Sequence, residues 1–177
     1  SGCQLTTGEM VADEEDLHKA VEGMSGLLAG TLELEAFLTR VAEFAVLAIP
    51  HADGAGVAMF DVEYPNTVVA SADFVRQVDD IQYRLDEGPC VTATAEEHTV
   101  VAGSLGGDTR WPRFGPRAGR LGVHSALALP LLTPSTPLGA INVYAHEKNA
   151  FTPHAERLGG LFAQSAIIAV HNARILA

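Results

Sequence analysis

The sequence predicts an α+β domain, one antiparallel sheet with helices packed against it. Three observations carry this expectation: amphipathic helical spacing in the first third, two segments that read as hairpins, and a long apolar helix at the C-terminal end. Hairpins bracketed by helices bury their apolar faces in a layered α+β arrangement. Length and composition agree. A chain of 177 residues is the size of one domain and buries roughly 70% of the surface that its unfolded form exposes. With 47% hydrophobic and 19% charged residues, disorder is excluded for most of the length.

Residues 1–12 carry no periodic pattern and are expected to be a flexible tail, leaving 13–177 as a single domain. The acidic run Asp13, Glu14, Glu15, Asp16 suits a helix N-terminus. Leu17, Val21, Met24 and Leu28 follow at helical spacing, with Gly30 as the stop. A second helix is expected from Glu33 to Ile49, with Phe37, Leu38, Val41, Phe44, Ala45 and Ala48 on one face and Pro50 ending it. Gly56 to Val62, a turn at Tyr64-Pro65-Asn66, and Thr67 to Ser71 read as a hairpin. Phe74, Val78, Ile81 and Gln82 have helical spacing behind Ser71 or Asp73 as a cap. Gly88-Pro89 resembles a helix start, which puts Cys90 in the first turn of a short helix to Glu96. Thr99 to Ala102 is a brief strand, and Gly103 to Arg113 is a loop carrying Trp111. Val123 to Leu131 alternates and pairs across Pro134–Pro137 with Leu138 to His146. Thr152 as cap and Pro153 launch the terminal helix to Leu176.

Lys and Arg number 11 against 22 Asp and Glu, a formal net charge of −11. That balance weighs against direct nucleic-acid binding and against anionic membranes, both of which draw on basic side chains. No stretch has the apolar length of a membrane span and no signal pattern opens the chain, so a cytoplasmic protein is expected. Cys3 and Cys90 are too few and too ill-spaced for a disulfide framework or a cysteine zinc site. The seven histidines show no pair at metal-binding helical spacing, so no metal is expected. Gly103–Gly107 lacks the Lys-Ser/Thr of a phosphate loop, and no Ser-His-Asp order has local support.

Four segments, Leu28–Phe60, "QYRLDEGPCVTA" at Gln82–Ala93, "DTRWPRFGPRAGRLGVHSALALPL" at Asp108–Leu131 and "LGAINVYAHEKNAFTPH" at Leu138–His154, together resemble the GAF domain family. The resemblance is nearest to actinobacterial GAF domains found upstream of an ANTAR output domain. It implies a five- or six-stranded antiparallel sheet, terminal helices on one face and a loop-covered pocket on the other. GAF domains bind cyclic nucleotides, tetrapyrroles, haem or other small effectors, and some bind nothing. In proteins similar to this one the domain is a sensor or dimerisation module of a transcription-regulatory, antitermination-type protein. Any RNA binding would then reside in the output domain.

Candidate pocket residues follow. Asp108, Arg110, Trp111 and Phe114 mix an aromatic platform with charge, as a lid over an anionic or planar ligand would; the alternative is that Trp111 plugs the interior while Asp108 and Arg110 pin the loop. Phe74, Tyr83, Asn142 and Tyr144 could line the same cavity. His124 is the one axial-ligand candidate for haem, which is disfavoured against an ordinary hydrogen-bonded histidine, so the effector stays unnamed. Cys90 lies in a Gly-x-Cys loop comparable to the one in which related free methionine sulfoxide reductases use a cysteine, the alternative being a semi-buried structural thiol. The likeness makes a redox enzyme an alternative to the non-enzymatic sensor, with a ligand-free dimerisation scaffold as the third reading. In the terminal helix Leu158, Leu161, Ser165, Ile168, Asn172 and Ile175 alternate by three and four along an a/d-type seam. With Leu17, Val21 and Met24 of the first helix they form the expected homodimer surface.

Overall fold

The structure, a computed structural model, describes residues 4–27, 32–60, 65–135 and 137–176. Its elements run α1 (Thr7–Gly26), α2 (Leu34–Ala48), β1 (Gly54–Phe60), β2 (Pro65–Ala70), α3 (Asp73–Leu85), α4 (Pro89–Glu96), β3 (Val100–Ala102), α5 (Phe114–Arg120), β4 (Ser125–Leu132), β5 (Pro137–Ala145) and α6 (Pro153–Leu176). A short 3-10 turn at Leu105–Gly107 precedes α5. The five strands form one sheet in the order β2-β1-β5-β4-β3, and every pairing is antiparallel. This is the α+β architecture expected.

Strand alternation decides what each face of the sheet can hold. Ala55, Val57 and Met59 of β1, Leu127, Leu129 and Leu131 of β4, and Ile141, Val143 and Ala145 of β5 point one way. They form a single core with Leu38, Val41 and Ala45 of α2 and Phe162, Ala166 and Val170 of α6, which α1 joins through Ala20 and Met24. The opposite face is made from smaller residues: Ala126 and Ala128 pack there with Val75 and Val78 of α3, Ala93 of α4, and Phe114 and Ala118 of α5. Gly56 shows why that face needs them small. A Cβ added there would stand 2.5 Å from the Asp79 carboxylate and 3.1 Å from the Val69 carbonyl, so glycine lets α3 bring a polar side chain down onto the sheet.

Several boundaries differ from expectation. The first helix begins at Thr7, not at Asp13, so half of the supposed tail is ordered helix. The signal is a capping box: the Glu9 amide donates to Thr6 Oγ1 at 3.1 Å, and the Thr6 amide donates to the Glu9 carboxylate at 2.7 Å. The helix ends at Gly26, and the expected stop at Gly30 lies outside the described residues, as do Cys3, Leu28 and Tyr64. Pro65 of the expected turn opens β2 instead, paired with Phe60. The residue preceding α3 is Ala72, without a side-chain cap; Ser71 Oγ accepts from the Ala55 amide at 2.9 Å and ties the hairpin together instead. The buried face of α3 is Val75, Val78, Asp79 and Gln82, so Phe74 and Ile81 fall on its flank. Helix α5 had no apolar periodicity in its sequence, FGPRAGR, to announce it. Thr152 caps α6 as expected, its hydroxyl accepting from the Ala155 amide at 3.2 Å.

Candidate functional site

Between the small-residue face and helices α3 and α4 lies a buried polar cluster. Asp79 and Gln82 come from one side of α3, Asn142 and Tyr144 alternate onto this face from β5, and Asp79, Gln82, Asn142 and Tyr144 are all at most 2% exposed. Tyr144 Oη donates to Asp79 Oδ1 at 2.5 Å and accepts from Gln82 Nε2 at 3.1 Å. Asn142 Nδ2 donates to Asp79 Oδ1 and to Tyr83 Oη, both at 3.2 Å. Gln82 Oε1 accepts from the Cys90 amide at 2.6 Å, and Tyr83 Oη stands 3.4 Å from Cys90 Sγ. The α3–α4 junction makes this possible through Gly88. It holds a positive φ of 149°, and a side chain there would strike Gln82. The first turn of α4 is thereby held against α3.

Burial dominates the electrostatics. It pushes the Asp79 carboxyl up to about 7, against the smaller opposing effect of the hydrogen bonds from Tyr144 and Asn142. No Lys, Arg or His donates to it, and Asp79 Oδ2 and Asn142 Oδ1 are both without a hydrogen-bond partner among the described residues. Burial also raises the Tyr144 phenol well above its ordinary value, with the Asp79 charge adding to the effect. The Cys90 thiol, 1% exposed, is pushed up to about 11 by burial. A thiol so held is neutral near pH 7 and lacks the access that a nucleophile needs.

The loop cluster is arranged differently from a lid over a cavity. Trp111 is 1% exposed. It fills the space between α4, α5 and the sheet, its indole donating to Thr92 Oγ1 at 2.9 Å. The Arg110 guanidinium covers the ring at 4.3 Å from its centroid, donates to both oxygens of Asp108 at 3.0 and 2.8 Å, and reaches the Val101 carbonyl at 2.9 Å. Those hydrogen bonds hold the Asp108 carboxyl below its usual range. The expected anion-binding arginine is therefore already engaged within the loop. Phe114 is fully buried at the start of α5. Its amide and that of Arg113 donate to Glu87 at 3.0 and 2.7 Å, an acidic cap supplied from a different element, which lowers the Glu87 carboxyl.

Of the candidate pocket residues, the structure brings together Tyr83, Cys90, Asn142 and Tyr144 in one network; Asp108, Arg110, Trp111 and Phe114 form a second group around the plug. Phe74 stands at the edge of this layer, partly buried against the apolar cluster around Trp111 and Tyr144, its ring tilted against His146 at 4.7 Å. His124 lies just before β4 rather than within it. Asp79 and Gln82, the centre of the network, were missed as site residues. Their signal was positional: they continue the Val75, Val78 stripe of α3 at helical spacing, where a polar residue must find an interior partner. Among the described residues no group of three His, Cys, Asp or Glu side chains is placed to hold a metal ion, and no helix is long and apolar enough to cross a membrane.

The candidate seam divides between the core and the surface. Met24 and Leu158 are fully buried within the chain's own core, where Leu17 and Val21 also pack. They face inward because α1 lies across α2 and α6, joined to the start of α6 by His154–Asp13 at 3.2 Å and Arg157–Glu14 at 3.1 Å. Leu161 and Ile168 point outward, 42% and 64% exposed, and Asn172 is half-buried beside them. Of Ile175 only the backbone, in the last turn of α6, is among the described features.

An open groove borders the network. It measures about 350 Å³ and is lined by Ala58, Phe60 and Val68 of the first hairpin and by Arg76, Asp80 and Tyr83 on one stripe of α3.

A central antiparallel sheet with terminal helices on one side, and short helices closing over a polar interior on the other, defines a small layered α+β domain. The chain belongs to the GAF domain family, whose model matches residues 31–171. No curated protein matches the sequence. Among solved structures, a free methionine-R-sulfoxide reductase from Neisseria meningitidis is similar at 15% identity and a TM-score of 0.66, over 100% of this chain and 99% of that one. The GAF domain of a phosphoenolpyruvate-protein phosphotransferase from Coxiella burnetii is similar at 16% identity and a TM-score of 0.65, over 92% and 96%. A reductase from Staphylococcus aureus is similar at 12% identity and a TM-score of 0.62, over 88% and 95%. At such identities the likeness is one of fold, shared by signalling domains and enzymes alike.

Proposed function

We propose that this chain is the non-catalytic sensor and dimerisation module of a bacterial signalling or antitermination-type transcription-regulatory protein, working as a cytoplasmic homodimer. The observation that carries the reading is the outward side of α6. Leu161 and Ile168 stand seven residues apart, large and exposed, and Ile175 continues the spacing. A heptad ladder of this kind on a helix whose other side is packed into the core suits a second copy of the same helix. A change in the packing of α3 and α4 against the sheet would reach α6 through the strands that both layers share, and so alter dimer geometry.

Sedimentation equilibrium at micromolar concentrations tests this. The wild-type chain is expected to be a dimer, and Ile168→Asp a folded monomer with unchanged circular dichroism, because the charge would be buried between helices without a partner. A monomeric wild type would refute the dimer.

The reductase reading is opposed by the burial of Cys90 and its raised thiol. Turnover of free methionine sulfoxide by wild type and Cys90→Ser is expected to be at background in both, and activity that Cys90→Ser abolishes would reverse the conclusion. The interior filled by Trp111, Tyr144 and Gln82 favours a second reading, a scaffold that binds no effector.

A further inference from the structure

We propose that the groove beside α3 is a binding site for a small protonated amine, whose ammonium group would reach past Tyr83 to Asp79 Oδ2 and Asn142 Oδ1. The inference rests on the sensor reading above and names the chemistry of its effector.

Once Asp79 is ionised, the interior holds a negative charge that no cation offsets. The hydrogen bonds of the network run from Tyr144 Oη and Asn142 Nδ2 to Asp79, from Gln82 Nε2 to Tyr144, and from the Cys90 amide to Gln82. Two buried acceptor oxygens among the described residues, Asp79 Oδ2 and Asn142 Oδ1, have no partner, and the Thr94 hydroxyl on α4 is the third buried side-chain atom without one. Asp79 faces Tyr144 from β5, its own neighbours Asp80 and Tyr83 on α3, and Cys90 beyond them. None of these is a cation. The missing complement is therefore a compact group with several donors and a positive charge, which is what an alkylammonium offers. A quaternary ammonium has the charge without the donors, and a carboxylate has neither.

The groove provides a route and a seat. Tyr83 forms its inner wall and, at 3.2 Å from Asn142 Nδ2, separates it from the network. Rotation of that one side chain would join groove and interior. Ala58, Val68 and Phe60 give an apolar floor for an alkyl body, and Asp80 adds negative charge at the entrance. Arg76 stands at the same rim, and would attract an acid if surface charge alone governed binding. The binding step is balanced by a proton: neutral Asp79 ionises as the ammonium arrives and releases its proton to solvent. Affinity therefore climbs by up to about tenfold per pH unit until Asp79 is ionised in the free chain, then levels. Movement of Tyr83 would also release Cys90 Sγ on α4, the helix to which Trp111 is bonded through Thr92, so the indole reports occupancy.

The test titrates n-butylammonium, butanoate and tetramethylammonium into the whole chain near pH 6 and near pH 8, following Trp111 fluorescence and the heat of binding in two buffers of different ionisation enthalpy. Butylammonium alone is expected to bind, more tightly at the higher pH and with proton release at the lower. Asp79→Asn should abolish the release and weaken binding by about 10- to 100-fold, the range for a lost charged hydrogen bond; Asp80→Asn should keep the release. Binding of butanoate in place of the amine, binding without proton release near pH 6, or sensitivity confined to Asp80→Asn would each overturn the proposal. Sedimentation of the same samples separates the two readings: a dimer that ignores the amine refutes the ligand alone, and a monomer that binds it refutes the dimer alone.

Discussion

Replacing Asp79 by Asn will make the domain more stable than wild type at pH 8 while leaving the two alike near pH 4. Burial raises the folded-state pKa of Asp79 from 3.8 to about 7. In the unfolded chain the group ionises near its ordinary value, so the folded state holds a proton that the unfolded state has lost. The stabilising contribution is complete below about pH 4 and disappears as pH rises through about 7. Over that window the wild type gives up on the order of 4 kcal/mol, taking about 1.4 kcal/mol per pKa unit. Asn occupies the same volume, keeps a carbonyl oxygen for Tyr144 and Asn142, and cannot ionise. Other carboxyls, among them Asp108 and Glu87, are shifted the opposite way, so the quantity to compare is the variant-minus-wild-type difference. Urea denaturation followed by fluorescence at a series of pH values gives it. A difference that does not change with pH would mean that Asp79 stays ionised in the folded chain.

Trp111→Ala is expected to cost about 3–5 kcal/mol, the range for emptying a buried aromatic site. The loss has three sources in the structure. The ring fills the interior between the sheet and α4–α5, its N–H satisfies Thr92, and its face carries Arg110. Trp111→Phe should recover the larger part, since it keeps an aromatic body and lacks only the indole donor. Chemical denaturation monitored by circular dichroism measures both. A loss under about 1 kcal/mol for the alanine variant, within the reach of an ordinary surface change, would show that the loop does not help to hold this layer together.

The architecture was legible because it is written in apolar periodicity. The stripe on α2, the alternation from Val123 to Leu131, and Thr152-Pro153 ahead of α6 are local signals with a direct steric or hydrogen-bonding cause, and each element falls within a residue or two of its expected place. Where the pattern lacked apolar residues it misled. The start of α1 is set by Thr6 and Glu9, two polar residues three positions apart with no hydrophobic stripe behind them, and α5 is positioned by Glu87, a carboxylate from a distant segment. The polar network was legible only in part. Tyr83, Cys90, Asn142 and Tyr144 were visible as chemistry-bearing residues, but Asp79 reads as one of two adjacent surface acids until α3 is seen against Gly56. The seam on α6 was found as a spacing; which of its members face outward depends on how α6 packs on the rest of the fold, which leaves Leu158 buried and Leu161 exposed.

The order of strands also governs how the chain assembles. The hairpins β1–β2 and β4–β5 each join neighbours, and such pieces form on microsecond timescales. The centre of the sheet is the pairing of β1 with β5, Val57 against Ile141 and Ala55 against Val143, which must wait for three helices and three other strands to be gathered into the intervening loop. Closure of that loop carries an entropy cost that is recovered only once the pairing is made. The junction of the two hairpins is therefore expected to form late in folding, and the sheet face against which Asp79 packs is complete only after it.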